Sequence, residues 1–403
     1  MRIMIASSTY YPAMNGQAVF TTNLAEGLVK QGHTVMVVLD SRHAKAARTI
    51  LNGVFVEELR SVSLNIFQAG VYFSPFPGRE IGRLIDNFQP DIIHIQDHYP
   101  SCRAAVMAAR KRGIKIVGSN HFVPENLAPY VPLLFLIKPV IFWFFWQWML
   151  DVYKHATVIT AQSKAAADII KRTGLQKPVL PISCGIDLDR FHPNIQADRT
   201  LFRQRYGLDL NKKIFLFLGR IDGEKRVDLL VQAMKQLGRD DIQLAIAGRG
   251  RAESVIRRMV VNMDLAELVK FTGFIPFEDV PDLLNSIDVF VMPSEAELLS
   301  ISTLEAMACG RPVLLANALA LPELVRDGIN GYLFKSGQVD DLVRLITLMA
   351  DHPERWGEMG VVSREIASQH SLDDTIHKFE SLYAGLISEV PVTEVIPRLK
   401  ETV

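Results

Sequence analysis

The chain has 403 residues, which is too long for one ordinary domain and predicts two or three. With 49% hydrophobic and 22% charged residues it has the composition of a globular protein with a large core, which excludes a disordered chain. The net charge is zero, but residues 1–190 hold 20 Lys and Arg against 13 Asp and Glu, and residues 191–403 hold 24 against 31. The basic first half suggests an anionic partner or surface, with ordinary surface variation as the alternative.

The first half of the chain alternates strand-like and helical patterns, as βαβ units do. Strands are predicted at 2–6, 34–39, 54–59, 91–95, 114–117, 157–161 and 179–183, and helices at 20–30, 79–88, 104–112 and 164–172. The first of these strands is too short for the apolar region of a signal peptide and predicts a buried strand. Gly16 and His121 each follow a strand, where parallel sheets bind their ligands.

Residues 130–150 interrupt this alternation with a run of aliphatic and aromatic side chains. The length suits a membrane span, but Pro132, Lys138, Pro139 and Gln147 interrupt the run, and it falls between strands of one domain. Two alternatives remain. The segment is either an interfacial helix or hairpin that dips into a membrane, with Lys138 reaching the headgroups, or a buried core helix.

The second half repeats the alternation after a linker at about 187–198. Strands are predicted at 214–218, 242–247, 269–274, 287–292, 312–316 and 331–334, and helices at 227–237, 252–263, 280–286, 342–350, 355–367 and 372–386. We therefore expect an N-terminal α/β domain at 1–190, a second at 191–370, a helix at 371–390 that packs back toward the first domain, and a tail at 391–403. A ligand would bind in a cleft between the two domains.

Three cysteines, Cys102, Cys184 and Cys309, are widely separated and in no metal-binding or redox spacing. We expect buried thiols in a reducing compartment, with cytosolic location as the default.

The stretch from Pro293 to Pro312 carries two carboxylates between a predicted strand and a helix. Ser302 and Glu305 have the spacing of a capping box, which predicts a well-capped helix. A helix N-terminus at a strand end also favours anions, which predicts a sugar-phosphate site. Eight helical residues rise roughly 12 Å, so Glu297 and Glu305 are too far apart to share one proton and are expected to hold two parts of an elongated ligand.

Several motifs resemble, in type and order, those of one enzyme family. They are Glu297-x₇-Glu305 followed by Ala306-Met307-Ala308, Gly310 and Pro312-Val313; Gly219-Arg220 with Glu224-Lys225, Asp228 and Leu230; Tyr11-Pro12 with Gly16; Ala247-Gly248 with Gly250; Thr272-Gly273-Phe274; and His121. Together they are similar to the retaining GT-B glycosyltransferases of the large GT4 type, over nearly the whole chain. The resemblance implies two Rossmann-like, doubly wound parallel-sheet domains that face a central cleft.

The resemblance also implies a nucleotide diphosphate sugar as donor. Arg220 and Lys225 would hold the diphosphate and stabilise it as it leaves, so no metal or other cofactor is expected. Glu305 would bond the ribose hydroxyls, and Glu297 and His121 the donor sugar. The predicted catalytic residues are His121, Glu297, Arg220 and Lys225; the predicted donor-binding residues are Gly16, Gly219, Arg220, Lys225, Gly248, Phe274, Ile275, Glu297, Leu299, Ser300, Ile301 and Glu305. His94 and His98 are interpreted as packing or rim residues.

Two positions depart from the family pattern. Leu299-Ser300 stands where the family usually has Phe-Gly, and Asn15-Gly16-Gln17 where it carries paired glycines. A serine can cap a helix where a glycine only permits close approach, so the donor geometry is expected to differ slightly. Neither departure removes a charged or hydroxyl-binding group, and we expect activity.

No clear enzymic nucleophile is present, so front-face attack with retention fits best, with UDP-sugar or GDP-mannose as donor. The aromatic segment, the basic half and a loose similarity of residues 120–126 to glycolipid-forming members predict a membrane lipid such as diacylglycerol as acceptor. The protein would then be cytoplasmic and peripheral on the inner face of the cell membrane, on an anionic surface and without a nucleic-acid partner. Alternatives are a soluble or polysaccharide acceptor, a nucleotide-sugar epimerase or hydrolase, and a non-catalytic nucleotide-sugar-binding module.

Overall fold

The computed structural model describes residues 1–13, 15–64, 71–124, 138–194 and 198–390. It divides into two compact units. The first consists of Met1–Gly185 and the C-terminal segment from Leu372, and the second of Ile186–Ser371.

The first unit is built on an eight-stranded sheet. Its strands are β1 (Arg2–Ala6), β2 (Thr34–Asp40), β3 (Ala47–Leu51), β4 (Val54–Leu59), β7 (Ile92–Ile95), β8 (Lys115–Asn120), β9 (Val158–Ala161) and β10 (Val179–Pro181), and a separate two-stranded sheet is formed by β5 (Val62–Leu64) and β6 (Val71–Phe73). The order across the large sheet is β10-β9-β8-β7-β1-β2-β4-β3. All pairs are parallel except β3 with β4 at one edge.

Helices connect these strands and cover the sheet. They are α1 (Gly16–Lys30), α2 (Gly78–Phe88), α3 (Pro100–Lys111), α4 (Lys138–Tyr153) and α5 (Lys164–Arg172). Every residue of β7 and β9 is buried, and β1 and β2 are buried apart from their first residues. This explains why the strands are continuous apolar runs, since a parallel sheet is buried on both faces.

The second unit is built on a six-stranded, fully parallel sheet of order β13-β12-β11-β14-β15-β16. Its strands are β11 (Lys213–Leu218), β12 (Ile242–Ala247), β13 (Val269–Gly273), β14 (Val289–Met292), β15 (Val313–Ala316) and β16 (Gly331–Phe334). Its helices are α6 (Arg199–Arg205), α7 (Val227–Leu237), α8 (Glu253–Asn262), α9 (Val280–Ser286), α10 (Ile301–Ala308), α11 (Val339–Asp351) and α12 (Trp356–Ser368).

The last helix, α13 (Leu372–Ile387), belongs to the first unit and packs on α1. The contact is close at Gly27, because a Cβ added there would lie 2.0 Å from Cδ1 of Ile376. A side chain at position 27 would therefore have to displace the Ile376 side chain, which glycine avoids.

The predicted fold class is confirmed: both units are parallel-sheet α/β domains. The antiparallel strand β3 and the β5–β6 pair were not predicted. β3 is exposed along most of its length, so it lacks the apolar run by which the other strands are found.

Within the predicted aromatic segment, residues 130–137 lie outside the described part of the chain, and the rest forms α4. Among the residues that the structure describes, no helix combines the length and the apolar character that crossing a membrane requires.

Candidate active site

Two adjacent strands of the second unit end in the loops that carry the predicted donor-binding residues. β11 and β14 are parallel neighbours, although β12 and β13 lie between them in the chain. Ligands of open parallel sheets bind beyond the strand ends at such a reversal of strand order. The loop 219–225 follows β11 and the loop 293–300 follows β14, and Glu295 N donates to Glu224 O at 3.2 Å between them. Strand order thus brings two distant loops into contact.

Lys225 and Glu297 form an ion pair at this point, with Nζ and Oε1 2.5 Å apart. Both side chains are largely buried, at 17% and 10% exposure. Arg220, by contrast, is 59% exposed and pairs with Asp222 at 2.5 Å and Glu224 at 3.1 Å. The structure therefore brings two of the four predicted catalytic residues together, and it holds the guanidinium of Arg220 among carboxylates of its own loop.

The predicted glycines have a packing function in the same region. Gly248 has φ +124°, and a Cβ built on it would lie 2.0 Å from the carbonyl oxygen of Gly219. A Cβ on Gly250 would lie 2.2 Å from the carbonyl oxygen of Ile221. Ile221 N also donates to Arg249 O at 3.0 Å. The loops after β11 and β12 can lie this close only because both positions are glycine.

Phe274 and Ile275 follow β13, where Gly273 ends the strand with φ +74°. The Phe274 side chain is 52% exposed, whereas Ile275 is buried. Phe274 can therefore offer an aromatic face to a ligand, and Ile275 only its backbone.

Helix α10 begins at Ile301, with Ser300 as its N-cap. Ser300 has φ −93° and ψ 100°, accepts from Thr303 N at 3.4 Å, and accepts from the Thr303 hydroxyl at 2.7 Å. The predicted capping box of Ser302 and Glu305 is wrong, because α10 begins at Ile301 and Ser302 is therefore its second residue. The N-cap is instead Ser300, at the position where the family usually has glycine. The N–H groups of Ile301 and Ser302 precede this bond and have no carbonyl partner within the helix, so they can face an anion.

Glu305 lies one turn into α10 and is half-buried. Burial raises the pKa of its carboxyl to about 8, opposed by the positive charge of Arg190. Arg190 was not predicted as a site residue. Its guanidinium stacks 3.5 Å from the ring centroid of Phe277 and donates to the Phe277 carbonyl. A single arginine in a predicted linker belongs to no motif, so the sequence offered no signal for it.

His121 directly follows β8 in the first unit and is half-buried. Its Nε2 lies 2.8 Å from Gln96 Oε1, Gln162 Nε2 contacts its Nδ1, and the ring of Phe20 packs against it with centroids 5.0 Å apart. Burial lowers the pKa of His121 to about 4, against the negative charge of Asp97. The ring is therefore neutral at physiological pH.

The two other histidines of this region are interior residues. His94 is fully buried and bonded to Tyr383 and Ser119. His98 is buried between the rings of Tyr99 and Trp148. Both are packing residues, as one of the two interpretations had it, and neither lies on a rim.

Gly16 is the first residue of α1, and Asn15 caps the helix by accepting from Ala18 N at 2.9 Å. Beside it, Asp97 accepts from Gln17 Nε2 at 2.8 Å. Gln17 and Asp97 were not predicted as site residues. Asp97 stands two residues beyond β7, and this strand-end position is the signal that could have found it.

The three cysteines are free and buried, as predicted, and burial raises the pKa of each thiol. Among the residues that the structure describes, no group of three or more His, Cys, Asp or Glu side chains is placed to hold a metal ion.

Two family models match the chain. One, described as glycosyl transferases group 1, matches residues 198–361, and the other, glycosyltransferase family 4, matches residues 14–190. The chain belongs to the glycosyltransferases that these two models describe. The resemblance to glycosyltransferases of family 4 that was drawn from the motifs is confirmed.

Individual members of this GT4-type family are similar to the chain over different lengths. A GDP-mannose-dependent phosphatidylinositol monomannoside mannosyltransferase of Mycolicibacterium smegmatis is 36% identical over 45% of this chain and 50% of its own length. The alpha-monoglucosyldiacylglycerol synthase of Streptococcus pneumoniae is 24% identical over 83% of this chain and 75% of its own length. The chain spans about half the length of several curated relatives that it matches.

The fold agrees with solved GT-B structures. The Anabaena protein HepE, solved in complex with UDP, superposes with a TM-score of 0.75 at 18% identity and covers 96% of this chain and 100% of its own. At this identity the likeness establishes the fold alone.

Proposed function

We propose that this protein is a retaining glycosyltransferase that moves a hexose from a nucleotide diphosphate sugar to an acceptor hydroxyl. The observation that carries the proposal is the buried Lys225–Glu297 pair at the reversal point of the second sheet. The cation and the carboxylate lie 2.5 Å apart in a site with little exposure to water. When a ligand binds, each side chain can leave the other and bind a different part of that ligand.

Lys225 would take the diphosphate and Glu297 the hydroxyls of the transferred sugar. Lysine donates up to three charge-assisted hydrogen bonds to phosphate oxygens, and the carboxylate of Glu297 accepts from hydroxyls. The N-terminus of α10 would add backbone N–H donors to the diphosphate. Glu305 would bond the ribose hydroxyls, and Arg220 would leave its loop carboxylates for the diphosphate. The positive charges of Lys225 and Arg220 would stabilise the negative charge of the leaving diphosphate, so we propose that no metal ion is needed.

Transfer would proceed on one face of the sugar. The bond from the anomeric carbon to the diphosphate oxygen breaks, the acceptor hydroxyl bonds to the same carbon, and its proton passes to the leaving diphosphate. Proton NMR of the product formed from an α-linked donor tests this directly: an α-anomer is expected, and a β-anomer would contradict retention. Activity unchanged by EDTA is expected in the same assay.

The nucleotide can be assigned by a thermal-shift panel of UDP, GDP, ADP and TDP. The Mycolicibacterium relative is named for GDP-mannose and the Anabaena neighbour was solved with UDP, so these two nucleotides come first. A bound nucleotide raises the melting temperature because it binds only the folded state. No shift with any of the four would contradict the proposed donor.

We further propose a membrane lipid such as diacylglycerol as acceptor, with the protein peripheral on an anionic membrane. The names of two relatives contain a lipid, phosphatidylinositol monomannoside in one and monoglucosyldiacylglycerol in the other. Helix α4 presents Trp143 and Phe144 to solvent at 61% and 59% exposure, as an interfacial helix does. Beside it, a groove of about 550 Å³ is lined by Phe142, Trp146 and Arg172.

Basic side chains also lie at the C-terminal end of α4. Burial and the charges of Arg110, Lys154 and Lys177 lower the pKa of His155, against the negative charge of Asp151, which pairs with Arg103 and Lys154. An exposed aromatic surface and basic side chains at the two ends of one helix suit apolar insertion together with attraction to anionic headgroups. Co-sedimentation with vesicles tests this proposal, as set out in the Discussion.

A further inference from the structure

His121 is held from both sides by glutamine side chains on the neighbouring strands. Gln96 follows β7, His121 follows β8 and Gln162 follows β9, and these three strands are adjacent in the order β9-β8-β7. Gln96 Oε1 lies 2.8 Å from His121 Nε2, and Gln162 Nε2 contacts His121 Nδ1. Each strand thus contributes its first residue beyond the sheet edge to one three-residue cluster.

The Gln96 amide lies between the rings of His94 and His121. Gln96 Nε2 lies 3.4 Å from His94 Nδ1 and 3.3 Å from His94 Nε2, and Gln96 Oε1 lies on the side of His121. A carboxamide oxygen only accepts and a carboxamide nitrogen only donates, so the imidazole carries its proton on Nε2 and keeps Nδ1 bare.

The cluster continues into the interior of the first unit. His94 Nδ1 lies 2.6 Å from the Tyr383 hydroxyl on α13, and His94 Nε2 lies 2.7 Å from the Ser119 hydroxyl. Ser119 Oγ in turn lies 2.6 Å from Thr160 Oγ1. These groups are buried, and a fully satisfied buried network permits little rearrangement.

The surroundings of His121 disfavour a charged ring. Burial lowers its pKa to about 4, and Asp97, near the end of β7, acts in the opposite direction. The contacts from β9 and α1 are neutral, namely the Gln162 amide and the Phe20 ring. His94, on β7, is itself neutral because burial lowers its pKa to about 3.

We propose that Gln96 and Gln162 are positioning residues that keep His121 a neutral imidazole, protonated on Nε2, during glycosyl transfer. The inference rests on the proposed role of His121 beside the donor sugar. Positive charge develops at the anomeric carbon as the bond to the diphosphate breaks. An imidazolium next to this carbon would raise the barrier, whereas a neutral ring can contact the sugar without that penalty.

The protonation state can be read without any assay of activity. The full chain is labelled with ¹⁵N-histidine, and two-bond ¹H–¹⁵N spectra are recorded from pH 5.5 to 8.5, with His121 assigned from the spectrum of His121→Asn. The expected result is an Nε2–H tautomer that does not titrate in this range. A proton on Nδ1, or a ring that becomes charged above pH 5.5, would overturn the proposal even if the enzyme is active.

Catalysis is then tested with Gln96→Glu. The carboxylate accepts from the same Nε2–H and stabilises the imidazolium, so the pKa of His121 rises. We expect kcat to fall at least tenfold at pH 6 and to recover as the pH increases, with donor KM changed less than about twofold. Gln176→Glu places the same charge at an exposed position and should keep the wild-type pH profile.

Gln96→Leu separates positioning from simple structural support. It removes the acceptor without adding charge, so its kcat should not recover with increasing pH. If Gln96→Glu and Gln96→Leu lose activity equally at every pH, the glutamine is only structural and the proposal is wrong. If the wild type transfers no sugar, the proposed function fails, and the NMR result still decides the protonation state.

Discussion

Lys225 and Glu297 satisfy each other as a largely buried ion pair. Donor binding would break this buried ion pair. Contacts of Lys225 with the diphosphate and of Glu297 with the sugar hydroxyls would have to replace it. Removing one partner of such a pair leaves an uncompensated buried charge, which is more damaging than removing both. Comparing the single and double substitutions therefore tests whether Lys225 and Glu297 form this pair.

Lys225→Met is expected to lower kcat/KM by about 10²-fold or more, since it deletes a cation aimed at the leaving group. It should also destabilise the protein, and the double variant with Glu297→Gln should recover part of that stability. Urea unfolding and donor kinetics provide the measurements. Lys235→Met, at an exposed position of α7, is the matched control. Additive stability effects of the two substitutions would show that the pair does not form in solution.

Glu305 predicts how stability depends on pH. Its pKa is raised to about 8, so the folded state holds the proton more tightly than the unfolded state. The resulting stability is fully present below the unfolded pKa, near 4.3, and is lost progressively as the pH rises to about 8. Glu305→Gln removes this dependence.

The free energy of unfolding of Glu305→Gln should therefore exceed that of the wild type at pH 9, by about 1 kcal/mol or more, and match it at about pH 4. Chemical denaturation at several pH values measures the difference. Glu267→Gln, at an exposed position, should follow the wild type at every pH. A constant difference across the range would mean that the Glu305 carboxyl has an ordinary pKa.

The first turn of helix α10 has two roles. Ser300 fixes the helix start through Thr303, and the remaining N–H groups stay available for the donor. The family usually has glycine at this position, which permits the same backbone path without a cap. Substitutions at Ser300 can therefore change the free energy of unfolding without blocking the approach of the donor.

Ser300→Ala should lower the free energy of unfolding by about 1 kcal/mol and Ser300→Gly by only a few tenths, because glycine is tolerated at an N-cap. Ser300→Gly should also retain donor turnover. Urea denaturation of both variants gives the comparison, with Ser302→Ala as the control inside the same helix. An equal loss for Ser302→Ala would restore the capping box that the structure rejects.

The unequal charge of the two halves of the chain affects whether the protein binds an anionic membrane. Residues 1–190 carry an excess of basic side chains, and the same half contains the exposed aromatic face of α4. Electrostatic attraction to anionic lipid is screened by salt, whereas apolar insertion is not. The two contributions can therefore be told apart.

The wild type is expected to co-sediment with phosphatidylglycerol vesicles, weakly with phosphatidylcholine, and less as salt rises from about 0.05 to 0.5 M. Replacing both Trp143 and Phe144 by Ser should reduce binding in both lipids. Phe76→Ser removes another exposed aromatic side chain of the same unit and should bind as the wild type does. Equal binding of the double variant would contradict the membrane role of α4, and no sedimentation of the wild type would contradict peripheral binding.

Much of the fold, and the strand-end positions of the candidate site residues, could be predicted from sequence because the signals are local. Buried parallel strands are contiguous apolar runs, and Lys225, Glu297 and Ser300 stand in motifs at strand ends. The same locality explains the misses. β3 is an exposed edge strand without an apolar run, and the cap at Ser300 rather than Ser302 depends on how the chain leaves β14.

Period and motif need only neighbouring positions, so they indicate which residue types stand at the ends of which strands. Contacts between distant residues depend on how the strands are ordered in the folded domain. Lys225 and Glu297 are 72 residues apart, and His121 lies 25 residues from Gln96 and 41 from Gln162. These contacts follow from the order β13-β12-β11-β14 in one sheet and β9-β8-β7 in the other. Strand order is fixed by the packing of the whole domain, and no local pattern encodes it.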